Sequence, residues 1–277
     1  MRFGAPLLES YATPKQWCDI LCRRRYRAAY CPVTDEASDV EIAAYADAAR
    51  RADIVIAEVG AWSNLLTAAG EIDMQALEKN IRQLALAERI GARCCVNISG
   101  SRGATWDGPH RENLTQATFQ TIVRAVRTII DEVKPAHASY ALEPMPWAYP
   151  NSADSYLALR KAIDREAFGV HMDLVNVTNS PEKLYNTAGL ATEWVGKLGA
   201  HIRSCHLKDI AISDQLTVHL SEVTCGQGEF DFHALFRELS TLDPDLPVMT
   251  EHLATQAQYD QAEAFLRRVA CSVGATL

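Results

Sequence analysis

The chain has 277 residues and 30.6 kDa, too long for a disulfide-stapled mini-domain and long enough for a sizeable core. Hydrophobic residues make up 48% and charged residues 22%, which excludes a disordered or collagen-like chain. Acidic residues outnumber basic ones 35 to 27, for a formal net charge of −8, so nothing draws the chain as a whole to nucleic acid or anionic lipid.

No apolar run approaches the roughly 20 residues of a membrane helix, and the first residues lack the apolar stretch of a signal peptide, so the expected location is cytoplasmic. The eight cysteines are scattered, without paired CxxC motifs, and reduced, mostly buried thiols are expected. Cys18 and Cys22, four apart on an expected helix, read as two small buried residues rather than a metal pair.

In chain order, short apolar or β-branched runs alternate with longer segments of helical period. The expected strands are Arg2–Ala5, Tyr26–Cys31, Ile54–Val59, Cys94–Ser99, Ser139–Glu143, Gly169–Asp173, Ile202–Leu207 and Pro247–Glu251. Between them, Met74, Leu77, Ile81 and Leu84 mark one helix face before Gly91. Phe119, Ile122, Val126, Ile129 and Val133 mark another. Ser180-Pro181 reads as a helix start, followed by a stripe of Leu184, Ala188, Ala191, Val195 and Leu198 up to Gly199. Eight βα units and no linker-like composition predict α/β architecture, a single (β/α)8 TIM barrel over residues 1–277.

In such a barrel the active site lies at the carboxyl ends of the strands. The last four strands bring Glu143 (SYALEPM), Asp173 (GVHMDLVN), His206 (SCHLKD) and Glu251 (PVMTEHL) to one mouth. Three carboxylates and an imidazole form a hard ligand set suited to Mn²⁺, Mg²⁺, Co²⁺ or Zn²⁺, and without a cation the carboxylates would repel one another. Each alone could instead be a helix cap or a surface charge.

With ALEPM, GVHMDLVN, SCHLKDI, GQGEFDFHALFREL and TEHL, the sequence resembles the sugar phosphate isomerase/epimerase superfamily of xylose isomerase-like TIM barrels. That family includes ketose 3-epimerases, hydroxypyruvate isomerase and inosose dehydratase. The resemblance implies that Glu143, Asp173, His206 and Glu251 bind one divalent cation, Mn²⁺ foremost. It also implies departures: Asn176 and Ile212 stand where ketose 3-epimerases carry a histidine and an arginine that hold substrate oxygens.

Further residues are candidates for the substrate. Asn176 replaces the missing histidine, and Lys208 points the same way along its strand as His206, toward a substrate oxygen or a salt bridge. His171 shares the face of Asp173 one layer deeper, as an interior histidine or a site residue. Glu58 could bind a hydroxyl, Trp62 and Tyr149 could shape a sugar pocket, and Glu229 belongs equally to a turn or the site, with Gly226 and Gly228 read as turn formers.

The expected activity is a metal-dependent isomerase or epimerase of a small keto-sugar or related polyol acting through an enediolate, with Glu143 and Glu251 exchanging protons. A dehydratase or lyase on the same site is the alternative, and an inactive sugar-binding barrel is a third. The expected partner is a small sugar, with neither nucleic acid nor membrane, and a homo-oligomer is compatible with the sequence.

Overall fold

The computed structural model describes residues 1–277. Eight parallel strands fall into two four-stranded sheets. The first runs β1 (Arg2–Gly4), β10 (Pro247–Thr250), β7 (Ile202–Leu207) and β6 (Val170–Met172). The second runs β2 (Ala28–Tyr30), β3 (Val55–Gly60), β4 (Cys94–Asn97) and β5 (Ser139–Leu142).

Backbone bonds join the two sheets at both seams. Arg27 N–H donates to Phe3 O at 2.8 Å, and Gly169 N–H donates to Tyr140 O at 2.9 Å. At the first seam a Cβ on Gly4 would collide with the Ala28 carbonyl, so only glycine lets β1 come this close. The result is the TIM barrel expected from the eight runs, each strand at or within a few residues of its predicted position.

The helices form because apolar stripes at helical spacing meet side-chain caps. Helix α3 (Met74–Ile90) is capped by Asp73 and stops at Gly91, whose φ of 77° suits glycine. Its buried face includes Leu77 and Leu84, but Met74, predicted on that face, is 60% exposed because it opens the first turn beyond the sheet. Helix α4 (Gln116–Val133) buries Phe119, Ile122, Val126 and Ile129 as expected.

The stripe predicted after Ser180 is interrupted. Pro181–Leu184 and Thr187–Leu198 are separate helices, because Tyr185 and Asn186 leave the helical path between them. On α1 (Pro14–Arg23), Cys18 is half-buried and Cys22 is exposed, which corrects the expectation of two buried residues: Trp17, Ile20 and Leu21 take the inner face instead.

One element was not anticipated. Directly after β7 the chain forms an antiparallel hairpin, β8 (Asp209–Ser213) and β9 (His219–Val223), that stands over the carboxyl mouth of the barrel. Its base is fixed by Asp209. That buried carboxylate accepts the backbone N–H groups of Ile210, Gly226, Gly228 and Phe230 at 2.8 to 3.1 Å. Gly226 and Gly228 are therefore turn residues, as predicted. Gly226 has a φ of 93°, and a Cβ on Gly228 would collide with the Asp209 carboxylate.

No helix of the chain is long and apolar enough to cross a membrane.

Candidate functional site

Glu143, Asp173 and Glu251 each follow immediately on the last residue of β5, β6 and β10, while His206 lies within β7. The four side chains converge: their candidate donor atoms all lie within 4.8 Å of one another. His206 Nδ1 is 2.9 Å from Glu251 Oε1, 3.2 Å from Glu143 Oε1 and 3.8 Å from Asp173 Oδ2.

Asp173 serves two purposes. Its Oδ1 accepts the Asn176 N–H at 3.0 Å and caps the one-turn helix α6 (Leu174–Val177), which leaves Oδ2 facing the cluster. The helix-cap role and the cluster role are thus held by one carboxylate.

Lys208 completes the group. Its ammonium lies 2.7 Å from Asp173 Oδ2, 2.9 Å from Glu251 Oε1 and 3.4 Å from Glu222 Oε1, and it donates to Asn176 Oδ1 at 2.9 Å. Of the two roles predicted for it, the salt bridge is the one the fold displays. Asn176 links the set by donating from Nδ2 to Glu143 Oε1 at 3.1 Å, so it faces the site as expected.

The electrostatics follow from crowding charges away from water. Burial raises the Glu143 carboxyl above its ordinary range despite the opposing field of His206. For Glu251, burial is outweighed by His206 and Lys208, which hold it down at about 2. For Asp173, burial is likewise outweighed, by Lys208 and His206, and its pKa falls. His206 and Lys208 are both held well above their usual values: burial opposes this, but the surrounding carboxylates prevail.

Asp173 Oδ2 and Glu251 Oε1 are buried without a hydrogen bond, although the Lys208 ammonium is close to both. Two orphaned anionic oxygens beside an imidazole nitrogen and a third carboxylate form a donor set that fits a hard divalent cation.

Beneath this cluster lies a second one. Glu58 is fully buried inside the barrel, 3.1 Å from His171 Nε2 and 3.2 Å from His206 Nε2, and it also accepts from Ser204 Oγ. Burial raises its pKa, but the two histidines outweigh this and hold the carboxylate well below its ordinary range. Neither Glu58 nor His171 lines the cavity above the cluster. Of the two readings of His171, the structure displays the interior histidine, and Glu58 lies one layer below the cavity floor with it rather than at a substrate hydroxyl. Their partners are each other, Ser204 and the underside of His206.

That cavity measures about 1000 Å³. Glu143, Glu251 and Asn176 are among its lining residues, and Trp62 lines it as predicted. Tyr149 and Glu229 do not. The Tyr149 hydroxyl donates to Leu114 O and its ring packs edge-on against Phe119, while Glu229 is exposed and only its backbone N–H is engaged, with Ile210 O.

Among the lining residues that the sequence analysis did not assign are two that titrate beside the cluster, Glu222 on β9 and His252 after β10. His252 Nδ1 lies 2.9 Å from Glu222 Oε2, and this hydrogen bond raises the imidazole's pKa above its ordinary value. The adjacency of His252 to Glu251 was the one available signal.

The sequence matches the xylose isomerase-like TIM barrel family over residues 22–269. No protein of curated function matches it. Among solved structures, 3-keto-D-glucoside 4-epimerase from E. coli is similar at 14% identity and a TM-score of 0.69, with 97% of this chain and 99% of that chain covered. The probable 3-DHS dehydratase of petrobactin synthesis from Bacillus anthracis is similar at 13% identity and a TM-score of 0.70, covering 97% and 98%. A xylose isomerase-like TIM barrel protein from Mycobacterium smegmatis, in complex with magnesium, is similar at 15% identity and a TM-score of 0.64, covering 95% and 90%. With the family matched over most of its length, residues 22–269, this chain belongs to the xylose isomerase-like TIM barrels.

Proposed function

We propose that the chain is a divalent-metal-dependent isomerase or epimerase of a small keto-sugar or related polyol. The observation that carries this reading is the pair Glu143 and Glu251: two carboxylates from separate strands, on the floor of one cavity, both within 3.2 Å of His206 Nδ1. Glu143, Asp173, His206 and Glu251 would hold the cation, with Mn²⁺ first among the candidates. When bound, the cation supplies a Lewis acid for neighbouring carbonyl and hydroxyl oxygens of the substrate.

The protein's own groups carry the proton. One glutamate takes it from the substrate carbon, and the other returns a proton to the opposite face or to the adjacent carbon, the roles exchanging with direction. Asn176, donating to Glu143, keeps that carboxylate's second oxygen free for the substrate. Lys208 offsets the negative charge of the floor. The epimerase and dehydratase among the similar structures support a reaction of this kind. The eight unbridged cysteines support a reducing, cytoplasmic setting.

A dehydratase is the second reading, and His252 favours it: a hydrogen-bonded imidazole on the cavity wall, 3.4 Å from Glu251, suited to protonate a departing hydroxyl. NMR of the Mn²⁺-loaded protein with ketoses, inososes and hydroxy-keto acids in D₂O tests both. Solvent deuterium on a carbon without water loss supports the isomerase or epimerase, and water loss supports the dehydratase. If no substrate exchanges, both fall. Glu143→Gln and Glu251→Gln, loaded with metal, should each lose about 10²–10⁴-fold in rate, whereas Asp173→Asn should recover partly as Mn²⁺ is raised.

A further inference from the structure

Three of the chain's five tryptophans border the cavity: Trp62, Trp106 and Trp147, each between 37% and 40% exposed. The other two, Trp17 and Trp194, are buried in the core. Leaving so much aromatic surface in water at one mouth is costly unless a ligand covers it. The three are held from separate places. Trp62 follows β3, Trp106 lies in the loop after β4, and Trp147, after β5, donates its indole N–H to Asp107 O at 2.6 Å.

Aliphatic side chains line the cavity beside them. Val218 and Leu220 come from the hairpin, Ile98 follows β4, and Val175 comes from α6. The cavity lies at the top of the roughly 300–1,000 Å³ range of pockets that bury drug-sized ligands, so one six-carbon sugar on its floor leaves most of it unfilled. The charged residues of its lining are Asp107, Glu143, Glu222, Glu251 and His252, with no lysine or arginine among them. A phosphate monoester would meet four carboxylates there, with His252 as the one lining group able to carry positive charge.

We propose that the substrate is an unphosphorylated glycoside whose sugar ring carries the ketone that the chemistry of the floor requires, with that sugar on the carboxylate floor and a flat apolar aglycone stacked among Trp62, Trp106 and Trp147. This rests on the reading of the floor as a sugar site and adds to it the class of sugar. An aromatic aglycone, rather than a second sugar, suits the part of the wall where three indole rings stand beside Ile98, Val218 and Leu220.

The test is equilibrium binding to the Mn²⁺-loaded protein, followed by tryptophan fluorescence and calorimetry, of phenyl β-D-glucopyranoside, methyl β-D-glucopyranoside, cellobiose, glucose and glucose 6-phosphate. The phenyl glucoside should bind at least about tenfold more tightly than the methyl glucoside, and glucose 6-phosphate no more tightly than glucose. Trp106→Ala and Trp147→Ala, at partly exposed rim positions, should each shrink the phenyl-to-methyl ratio. Equal affinity for the two glucosides, binding of neither, or a preference for cellobiose or for the phosphate overturns the proposal. The readout needs no turnover, so it separates from the function itself. A phenyl preference without deuterium exchange on any substrate leaves the aglycone subsite standing and removes the isomerase, whereas exchange on free ketoses with no phenyl preference does the reverse.

Discussion

Glu58 and His206 are joined across the interior of the barrel, Glu58 Oε2 lying 3.2 Å from His206 Nε2 while His206 Nδ1 faces Glu143 and Glu251. A carboxylate behind a histidine fixes the ring's orientation and its tautomer, so that the other nitrogen would keep its lone pair for a cation bound by the cluster. Glu58→Gln preserves the volume and weakens that hold. Mn²⁺ affinity, measured by calorimetry, should fall about 10- to 100-fold with the fold intact. Unchanged affinity would show that packing, not Glu58, orients His206.

Lys208 makes a different prediction. Its ammonium is the counter-charge of four carboxylates, Glu143, Asp173, Glu222 and Glu251, of which Asp173 is fully buried. Lys208→Met removes that charge while keeping the aliphatic stem, and breaking such a buried pair costs about 3–5 kcal/mol. A divalent cation bound by the cluster, as proposed, would replace what the ammonium supplied. The metal-free variant should therefore melt well below wild type and regain more of its Tm on adding Mn²⁺ than wild type gains. Equal metal-induced shifts in the two proteins would refute the idea that Lys208 neutralises the site.

The strand-end positions of Glu143, Asp173 and Glu251 were legible because a barrel strand's last residue is a topological fact, readable from where an apolar run stops. Depth inside the barrel was not. Glu58 sits two residues before the end of β3, and that step turns a rim residue into an interior one held by His171 and Ser204. The hairpin was missed because IAIS is a short apolar run close behind β7, separated from it only by Lys208 and Asp209, and the polar β9 carries no inward stripe. With it went Glu222, whose place at the cavity depends on the hairpin folding back over the mouth. Tyr149 was assigned to the pocket by its neighbours in sequence, but its ring is claimed by Phe119.

The hairpin's anchor is open to test. Asp209 accepts four backbone N–H groups, and no other side chain is placed to take them. Asp209→Ala leaves these donors without a partner and should cost about 3 kcal/mol or more, read as a lower urea midpoint. Asp209→Asn keeps one acceptor oxygen and should fall between. If both variants unfold at the wild-type midpoint, the turn from Gly226 to Phe230 is held by other contacts.

Glu88, on α3 and far from the site in sequence, gives a pH prediction. Its Oε2 accepts the backbone N–H groups of His137 and Ala138 at 3.0 and 2.8 Å, which ties the helix to the segment entering β5. Burial raises its pKa, but the two backbone donors outweigh that, and the folded value lies below the ordinary one. A folded value below the unfolded one means the ionised form is favoured by folding. The contribution is therefore complete above the unfolded pKa, near 4.3, and is lost as pH falls through the folded pKa. Glu88→Gln keeps the shape and one acceptor oxygen but removes the charge, and should cost about 1 kcal/mol at pH 7. Urea unfolding of both proteins at descending pH should show the gap constant down to about pH 5 and closing in more acid solution. A gap that stays constant through the acid range would mean that shape and not charge holds the His137–Ala138 turn, and a gap that widens would reverse the sign of the linkage.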